Sequence, residues 1–342
     1  MSELNELAYW MALAHAAVNT SVKNDVLIKC FKEKKSVVDF FSMSTQDWNS
    51  VFGMNLADVD ALSRAKEQLA NNAFVVENLL SQGFVLIPST SPEFPQLLKD
   101  NLKKNGCPVL LYAKGNIGLL NQPSVAVVGA RSASEISLNF TRKISAKLAT
   151  EGKVIVSGFA KGVDREALDT AVSVDGKSII VLPQGISTFA SGFKQYYKQI
   201  VEGNVLVIST YAPKVPWSTR LAMDRNRFIY GLASEIYVAE SNEGGGTWSG
   251  VMNGLKRGCK IYVRKPDDGE KNANQLLIEK GCSPISLGGE NVIEYPIAVP
   301  QMQAVCEEKA VYNAEKKEPK KRKSRKKKEA TLDLFEAEDN QT

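Results

Sequence analysis

A single histidine, His15, occurs in 342 residues. Any Ser-His-Asp triad or histidine-based metal site would have to use it. His15 lies in an N-terminal helical pattern, Leu4 to Val18, far from every Gly-rich turn. A half-buried or surface helix histidine is therefore the better reading. No run of ~18 apolar residues is present, so no transmembrane helix is expected. Met1 to Trp10 carries Glu3 and Glu6 and no basic residue. A secretory signal needs a positive start and an apolar run, so a cytoplasmic location is expected. Cys30, Cys107, Cys259, Cys282 and Cys306 are scattered without a CxxC pair. That pattern predicts reduced thiols, neither a disulfide frame nor a zinc site.

Two nucleotide motifs are also missing. Gly129 does not begin a GxGxxG, because residues 131 and 134 are Arg and Ser. Asp175-Gly176-Lys177-Ser178 mimics the end of a P-loop, but Ala171 stands where its first Gly belongs and a strand follows instead of a helix. Neither a dinucleotide cofactor nor ATP hydrolysis through that motif is expected.

What is present begins with charge. The chain carries +5 overall, unevenly spread. Lys316 to Lys328 carries +9, Glu329 to Thr342 carries −5, and residues 1–315 carry only +1. A block as basic as Lys320 to Lys328 repels itself and is expected to be disordered. Counterion release from nucleic-acid phosphates is the favoured role for it, over a merely solubilising tail.

Three regions follow: 1–83 helical, 84–300 α/β, and 301–342 a disordered tail, basic and then acidic. Leu4, Leu7, Ala8, Met11 and Ala14 fall at helical spacing, as do Leu62, Ala65, Leu69 and Ala73. Phe84 to Pro88 reads as a short strand. From Ser124 onward, short apolar runs alternate with helical stretches. The runs are 125–128, 154–156, 179–182, 205–208, 236–239 and 261–263. They are apolar on both faces, as buried parallel strands are. Phe140, Ile144 and Leu148 mark a helix between the first two runs, with Ser132 or Ser134 as its cap. The alternation predicts a doubly wound, mostly parallel α/β sheet, with an all-α domain ahead of it.

In such sheets ligands bind beyond the carboxyl ends of the strands. The loops there are Gly129-Ala130-Arg131-Ser132, Ser157 to Gly162, Pro183-Gln184-Gly185, and Glu240 to Thr247 with Gly245 and Gly246. Glycines let a backbone approach a ligand, and free amides at helix starts favour a phosphate. Arg131, Lys161, Arg225 and Arg227 add positive charge. The alternative is that the glycines make tight turns and the arginines pair with acids. The nearby acids are Asp164, Glu166, Asp224 and Glu240, for which ion pairing is the better reading than acid–base work. A rim of cations and amides with no recognised catalytic set points to binding without catalysis, and no metal or cofactor is expected. Phe159 and Trp248 are the candidates for base stacking. Trp248 has Gly on both sides, which predicts an accessible loop.

These segments resemble the DprA/Smf DNA-processing family. VAVVGAR (125–131), VSGFAKGVD (156–164), VLPQG (181–185) and RNRFIYGL (225–232) come in that family's order and spacing. Gly83 to Leu111 and NQLLIEKG (274–281) are similar too. The resemblance implies an extended Rossmann-like fold that binds single-stranded DNA and helps load the recombinase RecA. It also implies a cytoplasmic homodimer serving DNA processing and recombination, with transformation a further role. By residue, it makes Arg131 and Lys161 DNA contacts. Gly129, Ser157, Gly158 and Gly162 would shape the pocket, and Arg225 and Arg227 would line or brace the groove; the loop reading adds Ser132, Gly245, Gly246 and Thr247 as phosphate contacts. Leu168 stands where the family often has His, and Gly245-Gly246-Thr247 where it usually has Ser-Gly-Ser.

Two further resemblances set alternatives. Glu243 to Thr247 is similar to the phosphate loop of lysine-decarboxylase-like nucleotide phosphoribohydrolases, but Trp248, Ser249 and Gly250 replace that family's catalytic Glu. The rival function is thus a nucleotide-binding or nucleotide-hydrolysing enzyme. Thr331 to Phe335 resembles the short peptide that docks bacterial proteins on the replication sliding clamp, with Leu332, Leu334 and Phe335 as anchors.

Overall fold

The computed structural model describes residues 3–290. It begins with six helices: α1 (Glu3–His15), α2 (Thr20–Lys32), α3 (Val37–Ser42), α4 (Thr45–Ser50), α5 (Leu56–Glu67) and α6 (Leu69–Ser81). Local chemistry sets the starts of the two shortest. The hydroxyls of Ser36 and Ser44 accept from the N–H groups of Asp39 and Asp47, whose carboxylates accept from the N–H groups of the two serines. Each reciprocal pair satisfies two N–H groups that the helix cannot.

The sheet region then runs β1 (Val85–Pro88), α7 (Gln96–Gly106), β2 (Leu110–Gly115), β3 (Ser124–Val128), α8 (Glu135–Thr150), β4 (Val154–Ser157), α9 (Val163–Ser173) and β5 (Ser178–Val181). It continues through α10 (Ala190–Gln195), α11 (Tyr197–Val201), β6 (Val205–Ser209), α12 (Thr219–Gly231), β7 (Glu235–Val238), α13 (Gly246–Lys256), β8 (Lys260–Arg264), α14 (Asn274–Glu279) and β9 (Ser283–Ile285). The nine strands form one sheet in the order β1-β2-β6-β5-β4-β3-β7-β8-β9. From β6 to β9 every pairing is parallel, while β1-β2 and β2-β6 are antiparallel.

The six apolar runs expected from the sequence are β3 to β8, and Val85–Pro88 is the expected short strand. Two strands went unforeseen. β2 turns from apolar Leu110-Leu111 to Lys114-Gly115 within its own length. β9 has three residues, one of them Pro284. Neither shows the long two-faced apolar signal of a central strand. Asp175 to Lys177 lead straight into β5, as expected of a segment that is no P-loop.

Both faces of the sheet are buried, and alternate residues of each strand go to opposite layers. Ile180, Val205 and Val207 pack on the side that carries Trp10, Leu13, Phe40 and Leu62 of the N-terminal helices. Ile179, Val181, Leu206 and Ile208 pack on the other side with Phe228 and Ile229 of α12 and Val251 of α13. One hydrophobic core thus runs from the first helices into the sheet. Sheet growth reverses at β3, which has β4 on one side and β7 on the other. That switch point opens a crevice beyond the strand ends. No described helix is long and apolar enough to cross a membrane. The basic stretch and the anchors Leu332, Leu334 and Phe335 lie outside the described residues.

Candidate nucleic-acid interface

At the switch point lies a cleft of about 340 Å³. The β3 loop enters it through Gly129, Arg131 and Ser132, and the β7 loop through Gly245, Gly246 and Thr247. An adjoining depression of about 70 Å³ takes Gly158, Phe159, Pro183 and Gln184 from the loops after β4 and β5. Arg131, Ala160, Ala222 and Arg225 line both. The four post-strand loops therefore converge on one rim. Lys161 is exposed beside Ala160.

Packing explains most of the glycines. A Cβ on Gly158 would lie 1.9 Å from Nη1 of Arg225. On Gly129 it would meet Val163 at 2.6 Å. Gly162 has φ +84°, and its Cβ would meet the Ala130 and Arg131 carbonyl oxygens at 2.5 Å. These glycines let the loops after β3 and β4 stack closely, which aims Arg131 outward.

Arg225 is an internal brace. It is 3 % exposed, donates from Nη1 to the Val181 carbonyl at 2.6 Å, and lies 3.7 Å from the Asp164 carboxylate. Burial pushes the Asp164 carboxyl above its ordinary range, against the pull of Arg225. Arg227 pairs with Asp224 at 3.2 Å and covers Phe228, so it braces α12 and lines neither the cleft nor the depression. Ser157 is buried and donates to the Val127 carbonyl.

The expectation of free amides on every loop needs correcting. The backbone N–H groups of Gly158 and Ala160 favour the charged form of the Asp164 carboxyl. Glu240 accepts from the N–H and hydroxyl of Ser134, the cap of α8. Two of the four loops thus turn donors toward carboxylates of the chain itself. The start of α13 is different: its cap is Gly245, which has no side chain to bond its amides. The Gly245 N–H donates to the Asn242 carbonyl, which leaves Gly246 and Thr247, with Arg131 and Lys161, as the rim's available anion-binding groups.

Trp248 is not in a loop. It lies in the first turn of α13, half-buried against the core, with Lys280 6.0 Å from its ring centre. The glycine after the aromatic is compatible with a helix because Gly250, like Gly254 one turn on, packs against Tyr230. Phe159 has φ +61°. Its ring meets Phe189 edge-on at 4.7 Å and carries the Arg165 guanidinium 3.5 Å from its centre. Those neighbours occupy the ring.

An aromatic that sequence reasoning passed over is better placed. Trp217 is 50 % exposed, lines the smaller depression, and has the Arg131 guanidinium 5.9 Å from its ring centre. It belongs to the connection between β6 and α12. That connection crosses over Gly185, whose Cβ would meet the Ala212 oxygen at 2.2 Å and whose N–H donates to the Val215 carbonyl at 2.8 Å. The available signal was an aromatic just past Val215-Pro216, after a strand end.

Among the described residues Asp164 is the only carboxylate lining the cleft and depression, and Arg225 offsets it. An exposed cation beside an exposed ring, over a rim with one free helix start, suits phosphate contact plus base stacking.

Comparison with known proteins places this geometry. Residues 85–295 match the family described as DNA recombination-mediator protein A. The DNA processing protein DprA of Streptococcus pneumoniae is 32% identical over 191 residues, which are 55% of this chain and 67% of that protein. Protein Smf of Escherichia coli is 30% identical over 179 residues, 52% of this chain and 47% of that protein. The chain thus spans two thirds of the first of these relatives and about half of the second. Among solved structures, the S. pneumoniae DprA has a TM-score of 0.69 at 24% identity, covering 84% of this chain and 96% of that one. The DNA processing protein A of Helicobacter pylori, a structure described for its single-stranded DNA binding mode, has a TM-score of 0.51 at 25% identity, covering 59% and 90%.

Proposed function

Since the chain belongs to the DNA recombination-mediator protein A family, the DprA/Smf DNA-processing proteins, we propose that it is a single-stranded-DNA-binding, DNA-processing protein acting through the rim just described. The observation that carries this reading is the Arg131–Trp217 pair in the depression that adjoins the cleft, where Asp164, the one lining carboxylate among the described residues, is paired. Single strands differ from duplexes in offering unpaired base faces, and an exposed ring beside a cation meets a base face and its phosphate together. Lys161 adds a second exposed cation, and the start of α13 a set of backbone donors.

The reading extends to the chain's role. The sheet is of the extended Rossmann-like kind, and the protein acts in the cytoplasm as a homodimer that delivers single strands to a RecA-type recombinase. The basic stretch 316–328 supports it with non-specific phosphate contacts, and Leu332, Leu334 and Phe335 dock the chain on the sliding clamp.

The test is fluorescence anisotropy of a labelled thymine oligonucleotide with the chain and its Arg131→Glu/Lys161→Glu variant. Both side chains are exposed, so the variant keeps its melting temperature and loses most of its single-strand affinity. Unchanged affinity in a folded variant would remove the site.

A further inference from the structure

A second cavity is larger than the cleft. It is a space of about 610 Å³ where the N-terminal helices meet the end of β6. His15, Thr20 and Lys23 line it from α1 and α2. Thr210, Tyr211 and Pro216 line it from the connection after β6, and Arg220, Leu221 and Arg227 from α12. No Asp or Glu is among its lining residues. Arg227 is neutralised by Asp224. Arg220 is exposed and makes no ion pair or hydrogen bond with the described residues. Lys23 is half-buried, and its ammonium has no carboxylate partner, only the carbonyl oxygen of Ala14 at the end of α1. Burial lowers the Lys23 pKa to about 8; the amine remains mainly charged at neutral pH. His15, held by Tyr112 at 2.7 Å, is pushed by burial and by Lys23 to about 4 and is neutral there. A half-buried ammonium and a free guanidinium lining a cavity without a carboxylate among its described residues suit an anion.

The cavity and the cleft share a wall. Thr219, Ala222, Met223, Asn226 and Tyr230 of α12 face the cleft at helical spacing. Arg220, Leu221, Arg227 and Phe228 face the cavity. The connection before α12 likewise serves both, giving Trp217 to the depression and Pro216 to the cavity. A strand leaving Trp217 meets the start of α12 and then the cavity. A helix with its side chains is ~10–12 Å across, about three phosphates at the ~3.4 Å spacing of a stacked strand.

We propose that this cavity is a second phosphate subsite for the DNA strand, taking its backbone about three nucleotides beyond the cleft, with Arg220 and Lys23 as its cations. The inference rests on the single-strand reading above and names the path the strand follows.

The experiment titrates a labelled thymine trinucleotide and a thymine dodecamer with the full chain, at several salt concentrations. The variants are Arg220→Gln, Lys23→Gln/Arg220→Gln and Arg131→Glu/Lys161→Glu. The cavity variants should bind the trinucleotide as the parent does and lose several-fold affinity for the dodecamer. The slope of log affinity against log salt should fall by ~0.7 for each cation removed. Arg220 is exposed, so its single variant keeps the test valid should the Lys23 change unfold the protein. Unchanged dodecamer affinity and slope in Arg220→Gln and the double variant would overturn the subsite. So would equal losses for both oligonucleotides, or thymidine monophosphate binding that depends on Arg220 while dodecamer binding does not. If Arg131→Glu/Lys161→Glu loses neither ligand, the single-strand reading itself has failed; if it loses both while the cavity variants lose neither, only the subsite has.

Discussion

Gly158 shows how one missing side chain sets the site. Its Cβ would overlap the Arg225 guanidinium, so Gly158→Ala must expel a buried cation from the Val181 carbonyl and from Asp164. Breaking such a pair costs on the order of 2–4 kcal/mol. A urea titration should show the midpoint lowered accordingly; an unchanged midpoint would mean Arg225 has a second buried position. His15 gives a pH dependence. Burial first, and then Lys23, lower its folded pKa from 6.5 to about 4. The unfolded chain therefore binds a proton that the folded chain refuses, and stability falls as pH drops from 6.5 toward 4. By pH 5 the loss is about 1–2 kcal/mol. Chemical denaturation at pH 7 and pH 5 checks it, with His15→Gln expected to shrink the difference.

At the scale of elements, the connection between β6 and α12 and the helix itself do most to build the rim. α12 separates the cleft from the cavity, and the connection carries Trp217. Trp217→Ala should weaken single-strand binding by about 1–3 kcal/mol, the usual worth of one stacked base. Its melting temperature should stay near the parent's, because half the ring is in solvent. Equal affinity in the variant would place the bases elsewhere. This scale also separates what was legible in the sequence from what was not. β3 to β8 were legible because fully buried strands are apolar on both faces. The convergence of the loops followed from the position of glycines after those strands. The occupation of two loops by Asp164 and Glu240 was not legible, because Glu240 and Ser134 are far apart in sequence and meet only through the β3–β7 pairing. Trp217 was hidden for a similar reason: its place depends on a chain crossing over Gly185. Trp248 was misread because glycines on both sides of it were taken as loop chemistry, when Gly250 packs against Tyr230 within α13.

For the whole molecule, charge is divided between a nearly neutral body of +1 over residues 1–315 and a stretch of +9 at 316–328. A basic stretch binds any polyanion, duplex or single strand, so it supplies affinity without choice. On the proposed reading, choice between strands comes from the rim, where Trp217 and Arg131 stand together. The most direct measurement is a salt-series anisotropy titration of a single-stranded thymine oligonucleotide and its duplex counterpart, on the full chain and on the chain ended after residue 315. The shortened chain should still prefer the single strand, with log affinity falling against log salt at a slope worth a few phosphates. If the shortened chain binds neither and only the full chain binds both alike, the rim is not the DNA site and the account is contradicted.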